Sequence, residues 1–257
     1  MSIYQHYREE ERPFIDQILS WMEQVERQYQ PRVTDFLDPR EQLIFRQLLG
    51  GQAELQWAFS GGTEKAERKR GIIAPLYDSI TPEDFSIELL EAAYPDKFVT
   101  LEHRDVMGSF LSLGIDRKKL GDISVGEGII QLFTTSDIAT YIRANLVEVK
   151  RAKVSWQSVD PNRFRPEEVE WVTSETTVSS LRLDAIVKEL YRMSRQQAAE
   201  RIQKGLVKVN FKTVEDVSFQ LAEGDLISLR GMGRGKLAEV KGTTKKDKQR
   251  ITLEKLK

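Results

Sequence analysis

Hydrophobic positions follow two rhythms along this chain. Phe14, Ile15, Ile18, Leu19, Met22 and Val25 recur at the spacing of one helical face and predict a helix over 10–29. Asp38-Pro39-Arg40-Glu41 predicts a second start, with a capping carboxylate, a proline at the first helical position and an acid at the third. Leu43, Ile44, Phe45, Leu48 and Leu49 carry that helix to Gly50-Gly51. The period then shortens: 55–59 and 72–76 read as strands around a turn at Gly61-Gly62. Helices are expected at 82–93, 105–113 and 136–145, and strands at 98–102, 122–125, 129–133 and 147–154. Phe85, Ile87 and Leu89 also alternate as a strand would, so 82–93 carries both signals.

From 98 onward the expected order is β-α-β-β-α-β, the split arrangement of ferredoxin-like and RRM-like domains. The fold class is α+β. Residues 1–80 form an N-terminal α+β module, 81–156 an RRM-like domain, 157–180 a linker with Pro161, Pro166 and a Ser/Thr cluster, and 181–257 a last domain ending in a hairpin.

That last domain carries the most specific pattern. Leu183, Ile186, Val187 and Leu190 give one apolar helical stripe. Ser194 and Gln197 form a capping box for a second helix, which Gly205 ends. Val207 and Val209 then face one side of a strand; Leu206, Lys208 and Asn210 face the other. A turn at Asn210-Phe211-Lys212, a turn at Glu223-Gly224-Asp225 and a strand over 226–229 follow. This segment resembles the S4 RNA-binding domain, although Phe211 stands where such domains often carry Gly. The resemblance implies RNA contact by Arg182, Ser194, Arg195, Lys204, Lys208, Asn210 and Lys212, with Arg230, Arg234 and Lys236 continuing the basic surface. Taken singly, each cation reads as a solvated surface residue. The ordered set does not.

Charge sharpens this reading. The 257 residues sum to −1. Residues 181–257 hold 18 Lys and Arg against 10 Asp and Glu, a net of +8, so the remainder carries −9. A basic module on an acidic body suggests a polyanion partner for that module and argues against unselective coating of nucleic acid. Arg68, Lys69 and Arg70, and Arg117, Lys118 and Lys119, form two further basic clusters, read here as secondary RNA contacts. Lys150, Arg151 and Lys153 could extend them.

Candidate chemistry is sparse. No cysteine exists for thiolate metal sites or disulfides, and His6 and His103 lie far apart, so no metal or cofactor is expected. Arg182-Leu183-Asp184 echoes the catalytic segment of pseudouridine synthases, but its place within the S4-like helix makes Asp184 a helix-start residue. Gly126-Glu127-Gly128 reads as a hairpin turn, and Gly231-Met232-Gly233-Arg234-Gly235-Lys236 lacks the spacing of a phosphate loop. The N-terminus lacks the basic start and apolar core of a secretion signal, and no apolar run is long enough to span a bilayer.

The whole chain resembles the YlmH family of bacterial S4-domain proteins. The resemblance rests on Tyr4-Gln5-His6-Tyr7-Arg8-Glu9-Glu10-Glu11-Arg12, Asp35-Phe36-Leu37-Asp38-Pro39-Arg40-Glu41, Gly61-Gly62 with Glu67-Arg68-Lys69-Arg70, and Arg230-Gly231-Met232-Gly233-Arg234. It implies a cytoplasmic, monomeric, non-catalytic protein that binds large-subunit rRNA on the 50S ribosomal subunit and peptidyl-tRNA, in ribosome rescue or quality control. The family has also been linked to cell division. The alternatives are an RNA-modifying enzyme with an unfamiliar catalytic domain and a division adaptor that uses the S4 module as a scaffold.

Overall fold

The computed structural model describes residues 7, 9–166, 170–244 and 247–257. Two compact units divide the chain, Met1–Glu167 and Glu168–Lys257. His6, Lys245 and Lys246 lie outside the described residues, as does part of the N-terminal family segment. No helix among the described residues is long and apolar enough to cross a membrane.

The first unit begins with α1 (Arg12–Gln28), β1 (Arg32–Leu37), α2 (Pro39–Leu49), β2 (Leu55–Ser60) and β3 (Lys69–Pro75). The strands pair antiparallel in the order β1-β3-β2. Ile15, Ile18 and Val25 of α1 meet Ile44, Phe45 and Leu49 of α2 over Ile73 of β3. The start of α2 is as the sequence predicts: Asp38 accepts from the Arg40 and Glu41 amides at 2.9 Å, and Glu41 accepts from the Asp38 amide at 2.8 Å. Strand β1 escapes the periodicity reading because its polar positions have internal partners. Thr34 is buried and its hydroxyl accepts from the Gly71 amide.

The middle of the unit contains β4 (Ile87–Ala93), α3 (His103–Ser112), β5 (Leu120–Gly126), β6 (Ile129–Thr135), α4 (Ser136–Asn145), β7 (Glu148–Val149), β8 (Ala152–Lys153) and β9 (Trp156–Val159). Three expectations change here. Residues 82–93 are not a helix: Pro82–Phe85 make one tight turn, Ser86 takes a left-handed φ of 48°, and β4 follows. Residues 98–102 are not a strand, because 95–99 turn back on the Pro95 carbonyl and leave Phe98 exposed. The single strand expected at 147–154 is the small β7–β8 hairpin, and β9 is the strand that joins the sheet. The sheet order β5-β6-β4-β9 with every pair antiparallel is the ferredoxin-like arrangement, running from β4 to β9.

One face of this sheet packs on α3 and α4 through Phe110, Val106, Ala139 and Ile142. The other face meets the N-terminal module, where Phe36, Leu89 and Phe133 are all buried together. Double coverage explains why β6 is buried at all but its first residue, since only strands hidden on both faces lose alternation. Gly62 belongs to this joint. Its φ is +88°, and a Cβ there would lie 2.2 Å from the Phe133 ring.

The second unit contains β10 (Trp171–Val178), α5 (Leu183–Tyr191), α6 (Arg195–Gln203), β11 (Val207–Val209), β12 (Lys212–Thr213), β13 (Leu226–Leu229), β14 (Gly233–Thr243) and β15 (Gln249–Leu256). Its sheet runs β10-β15-β14-β13-β11-β12. Leu183, Ile186, Val187, Ala198 and Ile202 from the helices pack on Val207, Val209, Ile227, Leu229 and Leu237. The stretch expected as a linker, 157–180, instead holds most of β9, a turn at Pro161–Arg163 and all of β10. Ser/Thr-rich 173–177 reads as linker because β10 is an edge strand whose side chains stay mostly exposed.

Candidate nucleic-acid interface

The S4-like unit arranges its cations around the two ends of α6. At the N-terminal end, Ser194 accepts from the Gln197 amide at 3.1 Å, and Gln197 accepts from the Ser194 amide at 3.0 Å. The reciprocal bonds satisfy two helix-end donors. The remaining first-turn amides and the helix dipole favour an anion at this end. Arg195 stands in the first turn, 55% exposed, with its Nε 2.9 Å from Asp184. Arg182 precedes α5 and forks onto the same carboxylate at 3.1 and 3.3 Å. Asp184 is only 6% exposed. Burial pushes its pKa up, but the two guanidinium donors outweigh burial and hold it below the ordinary carboxylate value. It is the helix-start residue that its position suggests, and it also fixes both arginines. Two cations thus share one buried anion, with Asp216 also close enough to act on Arg182.

The second group surrounds the C-terminal end of α6, about 13 Å away at 1.5 Å per residue. Gly205 takes a left-handed φ of +66° and turns the chain into β11. Lys208 on β11 pairs with Ser228 on β13, which pairs with Arg234 on β14. Directly opposed residues share a face, so Lys208, Ser228 and Arg234 form one row on the side away from Val207 and Val209. An open cleft of about 400 Å³ lies here, lined by Lys208, Arg230 and Arg234 with Ser228, Gly205, Leu206, Leu229, Gly231 and Gly233. None of the described lining residues is acidic. Lys204 caps α6 and is exposed. Lys212 is half-buried on the edge strand β12.

Two residues expected to contact RNA are otherwise engaged. Asn210 donates to Asp225 at 2.7 Å and accepts from the Leu226 amide at 2.9 Å, so its side chain ties the β11–β12 turn to β13. Lys236 pairs with Glu254 at 2.7 Å and lies 5.1 Å from the Trp171 ring centre. Phe211 adopts φ +68° beside Asn210 at +48°, the paired left-handed geometry of a tight hairpin turn. The Arg234 guanidinium lies over its ring at 5.7 Å.

The two basic clusters of the first unit are engaged more deeply. Arg70 is 8% exposed and donates to the carbonyls of Thr34, Phe85 and Ser86 at 2.7, 2.5 and 2.9 Å. Burial lowers its pKa. Arg68 donates to the Phe36 carbonyl at 2.7 Å, and its amide and that of Glu67 donate to Asp122. Burial, with Arg68 nearby, pushes Arg117 down to about 10, and Arg117 donates to the Leu120 carbonyl. Lys119 bridges Asp35 and Asp137 at 3.0 and 2.9 Å, and Lys69 reaches the Glu64 carbonyl. Lys118 alone of the six projects as an exposed side chain. Arg70, Lys119 and the Glu67 and Arg68 amides on Asp122 join the N-terminal module to the ferredoxin-like domain. Lys150 likewise reaches Asp105 at 2.9 Å, whereas Arg151 and Lys153 are exposed.

The sheet face that RRM-like domains use for stacking bases is covered here. Phe164 packs on Phe133 with ring centres 4.8 Å apart, and Arg163 and Gln131 close over buried Glu91. Periodicity missed the cleft residues Ser228, Gly231 and Gly233 and the clamp at Asp184. Their signal is cross-strand register and through-space pairing, neither of which a linear pattern carries.

A basic helical pair on an antiparallel sheet, linked to a covered ferredoxin-like domain, defines an S4-domain protein of composite α+β architecture. Comparison with known proteins agrees. Residues 10–77 match the model described as "YlmH, N-terminal", 81–163 the "Putative RNA-binding domain in YlmH", and 181–227 the "S4 domain". The chain belongs to the YlmH family. It is 46% identical over 257 residues to "Ribosome-associated protein quality control protein P2" of Bacillus subtilis (strain 168), with 99% of each chain covered. It is also similar to the solved "Cell division protein ylmH from Streptococcus pneumoniae", with 32% identity, a TM-score of 0.52, and 62% of this chain and 96% of that one covered.

Proposed function

We propose that this protein is a non-catalytic, cytoplasmic RNA-binding factor that holds structured rRNA on the large ribosomal subunit together with peptidyl-tRNA, in ribosome rescue and quality control. The carrying observation is the display of exposed cations at both ends of α6, on a unit of net positive charge attached to an acidic body. Arg182 and Arg195 meet phosphate beside the open amides of the helix N-terminus; Lys204, Lys208, Arg230 and Arg234 meet it at the other end. Phosphate contacts position the unit, and contacts by other parts of the chain supply selectivity. The printed name of the Bacillus subtilis relative supports a place on the ribosome. No catalytic step is required by this reading.

Co-sedimentation with purified large subunits tests it. If roughly five phosphates are neutralised, log affinity falls against log salt with a slope of about −3.5 to −4.5. Arg195→Ala weakens binding about tenfold, as expected for loss of one charge-assisted contact. A slope near zero, or unchanged binding by the variant, refutes the reading for this surface.

A further inference from the structure

The cleft beside β11 has more chemistry than phosphate binding uses. Three cations are among the residues that line an open space of about 400 Å³, a volume within the range of small-ligand sites. A duplex cannot enter such a space, but an unstacked nucleotide can. Gly205, Gly231 and Gly233 line it without side chains, which lets a ligand approach the backbone closely. Arg234, one of the lining cations, also lies over the Phe211 ring, so an aromatic surface adjoins the charged one. Phe211 is held at φ +68°, where a phenylalanine is disfavoured and a glycine would be relaxed.

We propose that this cleft takes one unstacked nucleotide of a single-stranded RNA segment, with Lys208, Arg230 and Arg234 on its phosphates and Phe211 against its base. The proposal rests on the RNA-binding reading above and adds the class of RNA to it. Stacking on an aromatic ring tolerates any base, so the cleft selects for single-strandedness and not for sequence.

The test uses the full chain and two probes, a hexauridylate carrying one internal 2-aminopurine and a blunt RNA duplex of similar charge. Wild type binds the hexamer and changes the 2-aminopurine emission on stacking. Phe211→Gly suits the turn geometry, so folding is retained while the ring is lost. It weakens hexamer binding about tenfold or more, removes the emission change, and leaves both duplex binding and the salt slope as in wild type. Arg230→Gln instead lowers the magnitude of the hexamer salt slope by about 0.7. Hexamer binding by Phe211→Gly equal to wild type overturns the proposal. Wild type that binds duplex but not hexamer overturns it too, while leaving RNA binding intact. Salt-insensitive failure to bind either probe overturns the RNA-binding reading itself.

Discussion

Replacing Asp184 with Asn separates the two roles of its carboxylate. The side chain is 6% exposed and accepts from Arg195 at 2.9 Å and from Arg182 at 3.1 and 3.3 Å. Each charge-assisted bond is worth about 1.5–3 kcal/mol where solvent is excluded. Both cations retain access to water and rehydrate when the anion is lost, so the full penalty of a broken buried pair does not apply. A net destabilisation of about 1–2 kcal/mol at neutral pH is expected for Asp184→Asn. Because the folded pKa is depressed, this contribution is complete above the unfolded carboxylate value near about 4 and disappears as pH falls through the lower folded value. Pulse hydrogen exchange over peptides from α5 and α6, across a urea series with the full chain, measures it. The gap between variant and wild type should begin to shrink only as pH falls below about 4. RNA binding should respond differently: the added net positive charge raises affinity for unrelated RNA, while freed arginines lower affinity for the large subunit. Equal stability at neutral pH, or a gap that persists in acid, refutes the clamp. Unchanged discrimination between the two RNAs refutes its positioning role.

Two further outcomes test the first unit. Arg70→Ala strands the Thr34, Phe85 and Ser86 carbonyls and should cost about 2–4 kcal/mol by urea denaturation, with RNA affinity per folded molecule unchanged; a loss of affinity in the folded protein would return Arg70 to the RNA surface. Gly62→Ala forces a Cβ against the buried Phe133 ring at a left-handed φ and should cost about 2–4 kcal/mol, whereas a change under about 0.5 kcal/mol would show that the joint relaxes freely.

The legible parts of the sequence were those governed by near neighbours. The capping boxes at Asp38–Glu41 and Ser194–Gln197, the end of α6 at Gly205 and the apolar stripes of α1 and α5 depend on contacts within a few residues. Strand β4 is ambiguous in the sequence because both its faces are covered, one by helices and one by Phe36. Its buried run then resembles a helical segment as much as a strand. Basic clusters were the least legible feature. Arg70 and Arg195 look alike in a string of letters. One donates to three carbonyls, two of them across a module boundary, and the other stands half-exposed at a helix start. Only partners distant in sequence tell them apart.

Strand β10 pairs with β15 over eight successive residues, from Trp171 with Leu256 to Val178 with Gln249. The match to the S4 domain starts at 181. A fragment cut at that limit would strip the cover from β15 and expose a row of unpaired amides and carbonyls, the template on which strands of separate molecules add to one another. The exposed, Thr-rich strand ahead of the domain therefore puts a more polar edge in place of the more buried β15, and any excised S4 fragment should carry it.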